Sequence, residues 1–264
     1  LQNYSMSLDE FKVIFWWEYI HRFLGRIIGI TFLVPLIFFT IKLGFKKTIR
    51  FYLIFILICF QGFIGWYMVS SGLIDRVDVS HYRLSLHLLL ALIILSLIFW
   101  NFLSLRKINL SFDKINNRIP IIFLILIFFQ VCIGAFVSGM DAGKIYNSWP
   151  LMGSNFFPDD NSIKNLFHIE VFNEPSLVQF MHRNLAYLIL LFYLFIFIKI
   201  YINKLRKLYL VINITGFILI LQVLLGIMTL LNGAQILTAS MHQVSSIFLI
   251  SSSVYFLYLN KESN

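Results

Sequence analysis

Seven stretches of this chain are each apolar for long enough to cross a lipid bilayer, and no other feature constrains its fold as tightly. Crossing the hydrocarbon core takes about 20 apolar residues in a helix. The stretches run over residues 19–41, 51–72, 83–105, 119–140, 180–202, 208–231 and 238–259, labelled spans A to G. In lipid every backbone N–H and C=O must be paired internally, so such runs are read as helices. The alternating pattern of a membrane barrel is absent. Composition agrees: 59% of residues are hydrophobic and 12% charged, against about 25% charged in a soluble domain. That balance excludes a soluble enzyme, a disordered chain and a nucleic-acid module. Cys59 and Cys132 both lie inside apolar runs, so neither a disulfide framework nor a cysteine metal site follows.

The net charge of +9 reports topology. Lys42, Lys46, Lys47 and Arg50 lie between spans A and B. Arg106, Lys107, Lys114 and Arg118 lie between C and D; Lys204, Arg206 and Lys207 lie between E and F, with Lys199 in the last turn of E. The other connectors are poor in Lys and Arg, and the long D–E loop carries Asp141, Asp159, Asp160, Glu170 and Glu174. By the positive-inside rule the basic linkers face the cytoplasm, or a mitochondrial matrix, and the N-terminal segment and the B–C, D–E and F–G loops face outward.

The chain repeats itself. His21-Arg22 recurs as His182-Arg183, and Gln61 and Gly65 recur as Gln222 and Gly226, all at an offset of 161. His87 recurs as His242 at 155, because the B–C loop is six residues longer than F–G. Spans A–B–C thus match E–F–G in the same direction, a parallel repeat with its pseudo-twofold along the membrane normal. The expected fold is an all-α membrane protein of two repeated helical bundles, residues 1–110 and 111–264, the second including the outer loop 141–179. Span D lacks a counterpart. With a first residue of Leu, the expectation is an eighth helix upstream in the full protein, the alternative being a genuine seven-helix protein in which span D is an insertion. Span D also carries Gln130 and Gly134, the Gln-x-x-x-Gly of B and F. Close helix packing at glycine with a cross-helix glutamine hydrogen bond is the preferred reading, over direct cofactor contact.

Ionisable residues in a membrane are costly and mark function. His168 falls in the outer loop and His81 just before span C. His21, His87, His182 and His242 each fall near the outward end of A, C, E or G, two from each half. A single such histidine reads as a hydrogen-bonded packing residue; four set by a repeat read as metal ligands. Zinc would want a third or fourth ligand per site, whereas two facing histidines between helices suit the axial positions of a haem iron. Arg22, Arg26, Arg76, Arg83 and Arg183 are on the outward side, candidates for propionate partners or for snorkelling to lipid phosphates. The halves differ at one position: Glu18, three residues before His21, is matched by Gln179. A carboxylate can accept a proton or stabilise a cation, and its neutral isostere cannot. The expectation is two unlike sites, a reactive one in the N-terminal half and a structural or electron-transfer one in the other; the alternative is a Glu18 that is simply solvated at the membrane interface.

These residues in order resemble a known family. Glu18-Tyr19-Ile20-His21-Arg22 with Gly25-Arg26, Gln61-Gly62 with Gly65, and Arg83-Leu84 with His87 resemble the N-terminal signatures of haem A synthases. Tyr146-Asn147-Ser148-Trp149-Pro150-Leu151-Met152, Gln179-Phe180-Met181-His182-Arg183 and His242-Gln243 resemble the outer loop and C-terminal signatures. The resemblance covers nearly the whole chain. It implies an eight-helix membrane oxidoreductase that converts the C8 methyl of haem O to the formyl group of haem A, for cytochrome oxidase. It implies that His182 and His242 hold a haem B cofactor, and that His21 and His87 hold the substrate haem with Glu18 as catalytic carboxylate. Arg22, Arg83 and Arg183 are the expected cofactor-binding cations. The outer-loop cysteine pair of some members is absent here, which argues against a thiol redox role.

Expected partners are the bilayer, haem O, a haem O synthase (a farnesyltransferase), an electron donor and a second copy of the chain; nucleic acid is not one. The expected location is a bacterial inner (plasma) membrane, with the histidines toward the periplasm, or a mitochondrial inner membrane. A di-haem bis-histidine electron-transfer cytochrome is the rival. It would need the histidines but not Glu18.

Overall fold

The computed structural model describes residues 6–72, 79–105 and 114–262. Arg76, Arg106 and Lys107 lie outside the described residues. Seven long helices account for most of the rest: α1 (Leu8–Leu43), α2 (Phe45–Gly72), α3 (His81–Ser104), α4 (Arg118–Gly139), α5 (Pro175–Ile202), α6 (Arg206–Leu231) and α7 (Ile236–Glu262). They correspond in order to spans A to G, and the chain is an all-α, multi-pass membrane protein. Six of them, α1 to α6, are apolar and long enough to cross a membrane. α7 has the length, at 27 residues, but carries His242, Gln243 and a run of serines. Part of that polarity is turned inward: Ser245, Ser253 and Asn260 are buried. Among the described residues no β-strand forms, and Met152 and Asn155 make an isolated bridge.

The helices form two compact units, which divide inside α3 at Arg83/Leu84. In the first unit, α1 begins eleven residues before span A. Hydropathy alone misses this start because the signal is local. Ser7 accepts from the Glu10 amide while the Glu10 carboxylate accepts from the Ser7 N–H, a capping box. Phe11, Phe15, Tyr19 and Phe23 then recur every four residues, with ring centres 6.2–6.3 Å apart. His21 consequently lies 13 residues into its helix, about 20 Å along it, rather than a turn or two from the end. The basic A–B linker shrinks to one residue. Gly44, at φ +85°, ends α1 with its N–H on the Thr40 carbonyl. Thr48 on α2 is buried and hydrogen-bonds Thr40, which also accepts from Tyr52.

The second unit contains the main core. Phe123 and Ile127 of α4, Ile189, Tyr193 and Ile196 of α5, Leu208 and Ile212 of α6, and Ile250 and Val254 of α7 interdigitate. Small residues let the backbones approach: a Cβ on Gly216 would run into the Tyr193 phenol, whose hydroxyl donates to the Ile212 carbonyl. Fully buried Asn260, near the end of α7, imitates a strand. It accepts from the Ile115 N–H, donates to the Ile115 carbonyl and reaches Asn117. That satisfies backbone groups leading into α4 that would otherwise be stranded. At the start of α3, buried Ser85 donates to the Cys132 carbonyl of α4. Cys59 and Cys132 are free thiols.

Candidate functional site

The second unit brings two of the four histidines together. His182 sits seven residues into α5 and His242 six residues into α7, and their rings face at 6.4 Å between centres, 85° apart in plane. Two imidazoles that share one metal, each with a metal–nitrogen bond of roughly 2 Å, hold their ring centres about 6 Å apart. Each ring presents a buried Nδ1 with no hydrogen-bond partner among the described residues.

The Gln-x-x-x-Gly pattern meets these rings. A Cβ on Gly134 of α4 would lie 3.0 Å from His182 Cε1 and 3.6 Å from its Nδ1. A Cβ on Gly226 of α6 would lie 3.1 Å from His242 Cε1 and 3.5 Å from its Nδ1. One turn earlier, Gln130 donates its amide to the His182 carbonyl at 3.0 Å, and the same nitrogen is 3.3 Å from His182 Nε2. Gln222 accepts at Oε1 from Ser245, which also reaches the His242 carbonyl. The cross-helix glutamine bond and the close packing at glycine are both present. The pattern in the sequence did not indicate that the packed group is a histidine ring, or that Ser245 takes part. Two facing imidazoles, one from each of two helices, at this separation fit an iron bound by one nitrogen from each histidine.

Above this pair the outer loop is tied down by α5. Arg183 donates through its Nη1 to the Ser148 carbonyl at 2.9 Å and the Leu151 carbonyl at 3.3 Å, and through its Nη2 to the Tyr146 carbonyl at 3.0 Å. Its Nε is buried and has no partner among the described residues. Gln179, itself buried, donates to the same Tyr146 carbonyl. A carboxylate there could not donate, which gives the Glu18/Gln179 difference a structural cause in this half. Trp149, preceding a cis Pro150, donates to the Tyr187 hydroxyl. Asn147 donates to the Leu230 carbonyl of α6. The loop closes on itself through Asp159, which accepts from Ser154 and Asn155, bonds that hold its carboxyl below the usual range. Burial, then the Asp160 carboxylate it donates to, pushes the Tyr146 phenol up. His168 is exposed in this loop.

In the first unit Glu18 and His21 are exposed on α1, and Arg22 pairs with Glu18 at 3.1 Å. Arg83 stacks its guanidinium over the Tyr67 ring at 4.6 Å. His87, half-buried on α3, belongs to the second unit.

Comparison with known proteins bears on the whole chain. Residues 1–254 match the family model for COX15-CtaA, cytochrome oxidase assembly protein. The heme A synthase of Pelagibacter ubique is 54% identical over 99% of this chain and 77% of its own length. Those of Rickettsia bellii and Wolbachia pipientis wMel are 40% and 39% identical over 99% of this chain, and over 80% and 75% of theirs. A match over nearly the full chain, by model and by relatives alike, means that the chain belongs to the COX15-CtaA family of cytochrome oxidase assembly proteins.

Proposed function

We propose that this chain is a haem A synthase: a membrane oxidoreductase that takes haem O and converts its C8 methyl group to a formyl group. The family membership and the name its relatives carry support this reading. The observation that carries it is the facing pair of half-buried histidines, His182 and His242, whose ring centres lie 6.4 Å apart. That pair is the candidate ligand set for haem B, which when bound supplies one-electron redox chemistry. Arg22, Arg83 and Arg183 are the proposed propionate partners, and the unpartnered Nε of Arg183 is a donor suited to an acid group.

Residues 1–110 form the proposed substrate half and residues 111–264 the cofactor half. In the substrate half His21 and His87 hold haem O, and Glu18 is the catalytic carboxylate. Its ion pair with Arg22 is exposed on both sides, and such pairs contribute about 0–1 kcal/mol. Glu18 Oε2 can therefore leave Arg22 cheaply to take a proton from an attacking water, or to face positive charge developing at the methyl carbon. Two successive two-electron oxidations, each drawing on an oxidant from outside the chain (molecular oxygen or an electron acceptor), pass through an alcohol, and the second yields an aldehyde hydrate that loses water. In the cofactor half, Gln179 donates to the loop instead of handling protons.

The proposed setting is a bacterial inner membrane, with the histidines toward the periplasm and a mitochondrial inner membrane as the alternative. A haem O synthase supplies the substrate, an electron donor serves the cofactor, and the chain assembles as a homo-oligomer. The test is chromatography of haem extracted from purified protein made in cells that also produce haem O. Haem B together with haem O or haem A is the expected result. Haem B alone would favour an electron-transfer cytochrome, and a Glu18→Gln variant with full activity would remove Glu18 from the chemistry.

A further inference from the structure

We propose that α4 and α6 each form a socket that fixes the orientation of one axial histidine, so that Gln130, Gly134, Gln222, Gly226 and Ser245 are positioning residues for the bound haem iron; this rests on the haem reading above. The two sockets agree in detail although they lie in different helix pairs. In each, a glycine one turn after a glutamine leaves room for the Cε1 edge of the ring, and the missing Cβ would lie 3.0 Å away in one and 3.1 Å in the other. Such a distance is tighter than ordinary van der Waals contact, so any side chain must displace the imidazole. Each glutamine is also tied to the helix of its histidine. Gln130 donates to the His182 carbonyl, and Gln222 accepts from Ser245, whose hydroxyl oxygen lies 3.0 Å from the His242 carbonyl. General helix packing would require the glycines, but it would not require a glutamine tied to the same residue whose ring the glycine admits. Partners that orient a metal-bound imidazole set its direction and its basicity. Each imidazole thus packs on the glycine of one neighbouring helix, whose glutamine reaches the histidine's own helix.

The experiment uses the full chain in detergent. It measures the rate of haem transfer to a haem-scavenging apo-globin, and the midpoint potential of the bound haem. Gly134→Ala and Gly226→Ala are each expected to speed haem loss at least tenfold. Gly29→Ala, whose Cβ meets nothing within 4 Å, should leave it unchanged. Gln130→Glu replaces an amide donor beside the His182 ring with a carboxylate acceptor, which makes the imidazole the stronger donor. A tenfold shift toward the ferric state is expected, about 59 mV lower for a one-electron couple. Wild-type haem retention and potential in all three variants would overturn the sockets. If either alanine at a glycine prevents folding, Ser245→Ala, one atom smaller, replaces it: the expected result is faster haem loss, and wild-type loss combined with an unshifted Gln130→Glu potential overturns the proposal. Wild-type protein that binds no haem would overturn the haem reading and the sockets with it.

Discussion

Replacing Arg183 with alanine should free the outer loop without unfolding the helices. The guanidinium makes two bonds of good length, to the Ser148 and Tyr146 carbonyls at 2.9 and 3.0 Å, and a longer one to Leu151 at 3.3 Å. Removing a charged partner from a hydrogen bond costs about 1.5–3 kcal/mol. The Leu151 contact is long and exposed and adds little, and Gln179 still serves the Tyr146 carbonyl. Water reaches the freed Ser148 carbonyl, so the two main bonds together contribute about 2–3 kcal/mol to keeping the loop closed. Since about 1.4 kcal/mol is a factor of ten, opening should become roughly 30–150 times more frequent. Hydrogen exchange read by mass spectrometry is the assay. The amides to follow are Met152, bonded to the Asn155 carbonyl, and Gly153, bonded to Ser148 Oγ. Helix amides of α5 beyond Tyr187 should exchange as in wild type. Arg183→Lys should fall between, since an ammonium lacks the fork that spans several carbonyls. Exchange at Met152 and Gly153 within threefold of wild type would refute the clamp.

Three further outcomes follow from single contacts. Gly216→Ala drives a methyl into the Tyr193 phenol and should destabilise by about 1–3 kcal/mol; Tyr193→Phe loses about 1 kcal/mol with its bond to Ile212. The double variant should be more stable than the sum of the two losses, and simple additivity in thermal unfolding would refute the contact. Asn260→Leu strands the buried N–H and carbonyl of Ile115, so the unfolding temperature in detergent should fall with a loss of about 2–4 kcal/mol, and an unchanged temperature would count against it. The Asp159 carboxyl is lowered first by Asn155 and then by Ser154. Its contribution is therefore present above the ordinary carboxylate value and lost as pH falls through the lower folded one. Protection of the Ser154 amide should stay flat from about pH 7 to about pH 4 and drop only below that; Asp159→Asn should remove the step.

What could be read in the sequence, and what could not, divides by range. Helix existence follows from composition along a single stretch, so all seven spans reappear as helices; α2 and α5 start six and five residues early, and the largest departure is the start of α1, eleven residues early. That end, the start of α1, was written locally in Ser7 and Glu10, but as a capping signal that a search for apolar runs passes over. The histidines stood out because a repeat copied them, and repetition is visible without coordinates. Arg183 is different. Its place beside His182 invites a role toward the same ligand, yet its Nη1 and Nη2 reach carbonyls 32 to 37 residues earlier in the chain, partners that no spacing rule announces.

The Gln-x-x-x-Gly pattern lies between these cases and explains why the site is only half legible. Its recurrence in α2, α4 and α6 is plain in the sequence, and close packing with a cross-helix hydrogen bond was the right physical class. What the pattern packs against depends on which residue the next helix turns toward it. In α5 and α7 that residue is a histidine, one per helix, at nearly the same distance from the missing Cβ. A glycine conserves space for whatever faces it, so its meaning is set by the partner and not by its own neighbours in sequence. The glutamine adds the direction: it bonds to the histidine's own carbonyl or to the serine one turn on. The repeated element is thus a histidine together with the helix before it, and that pair is the unit from which the proposed iron-binding site would be built.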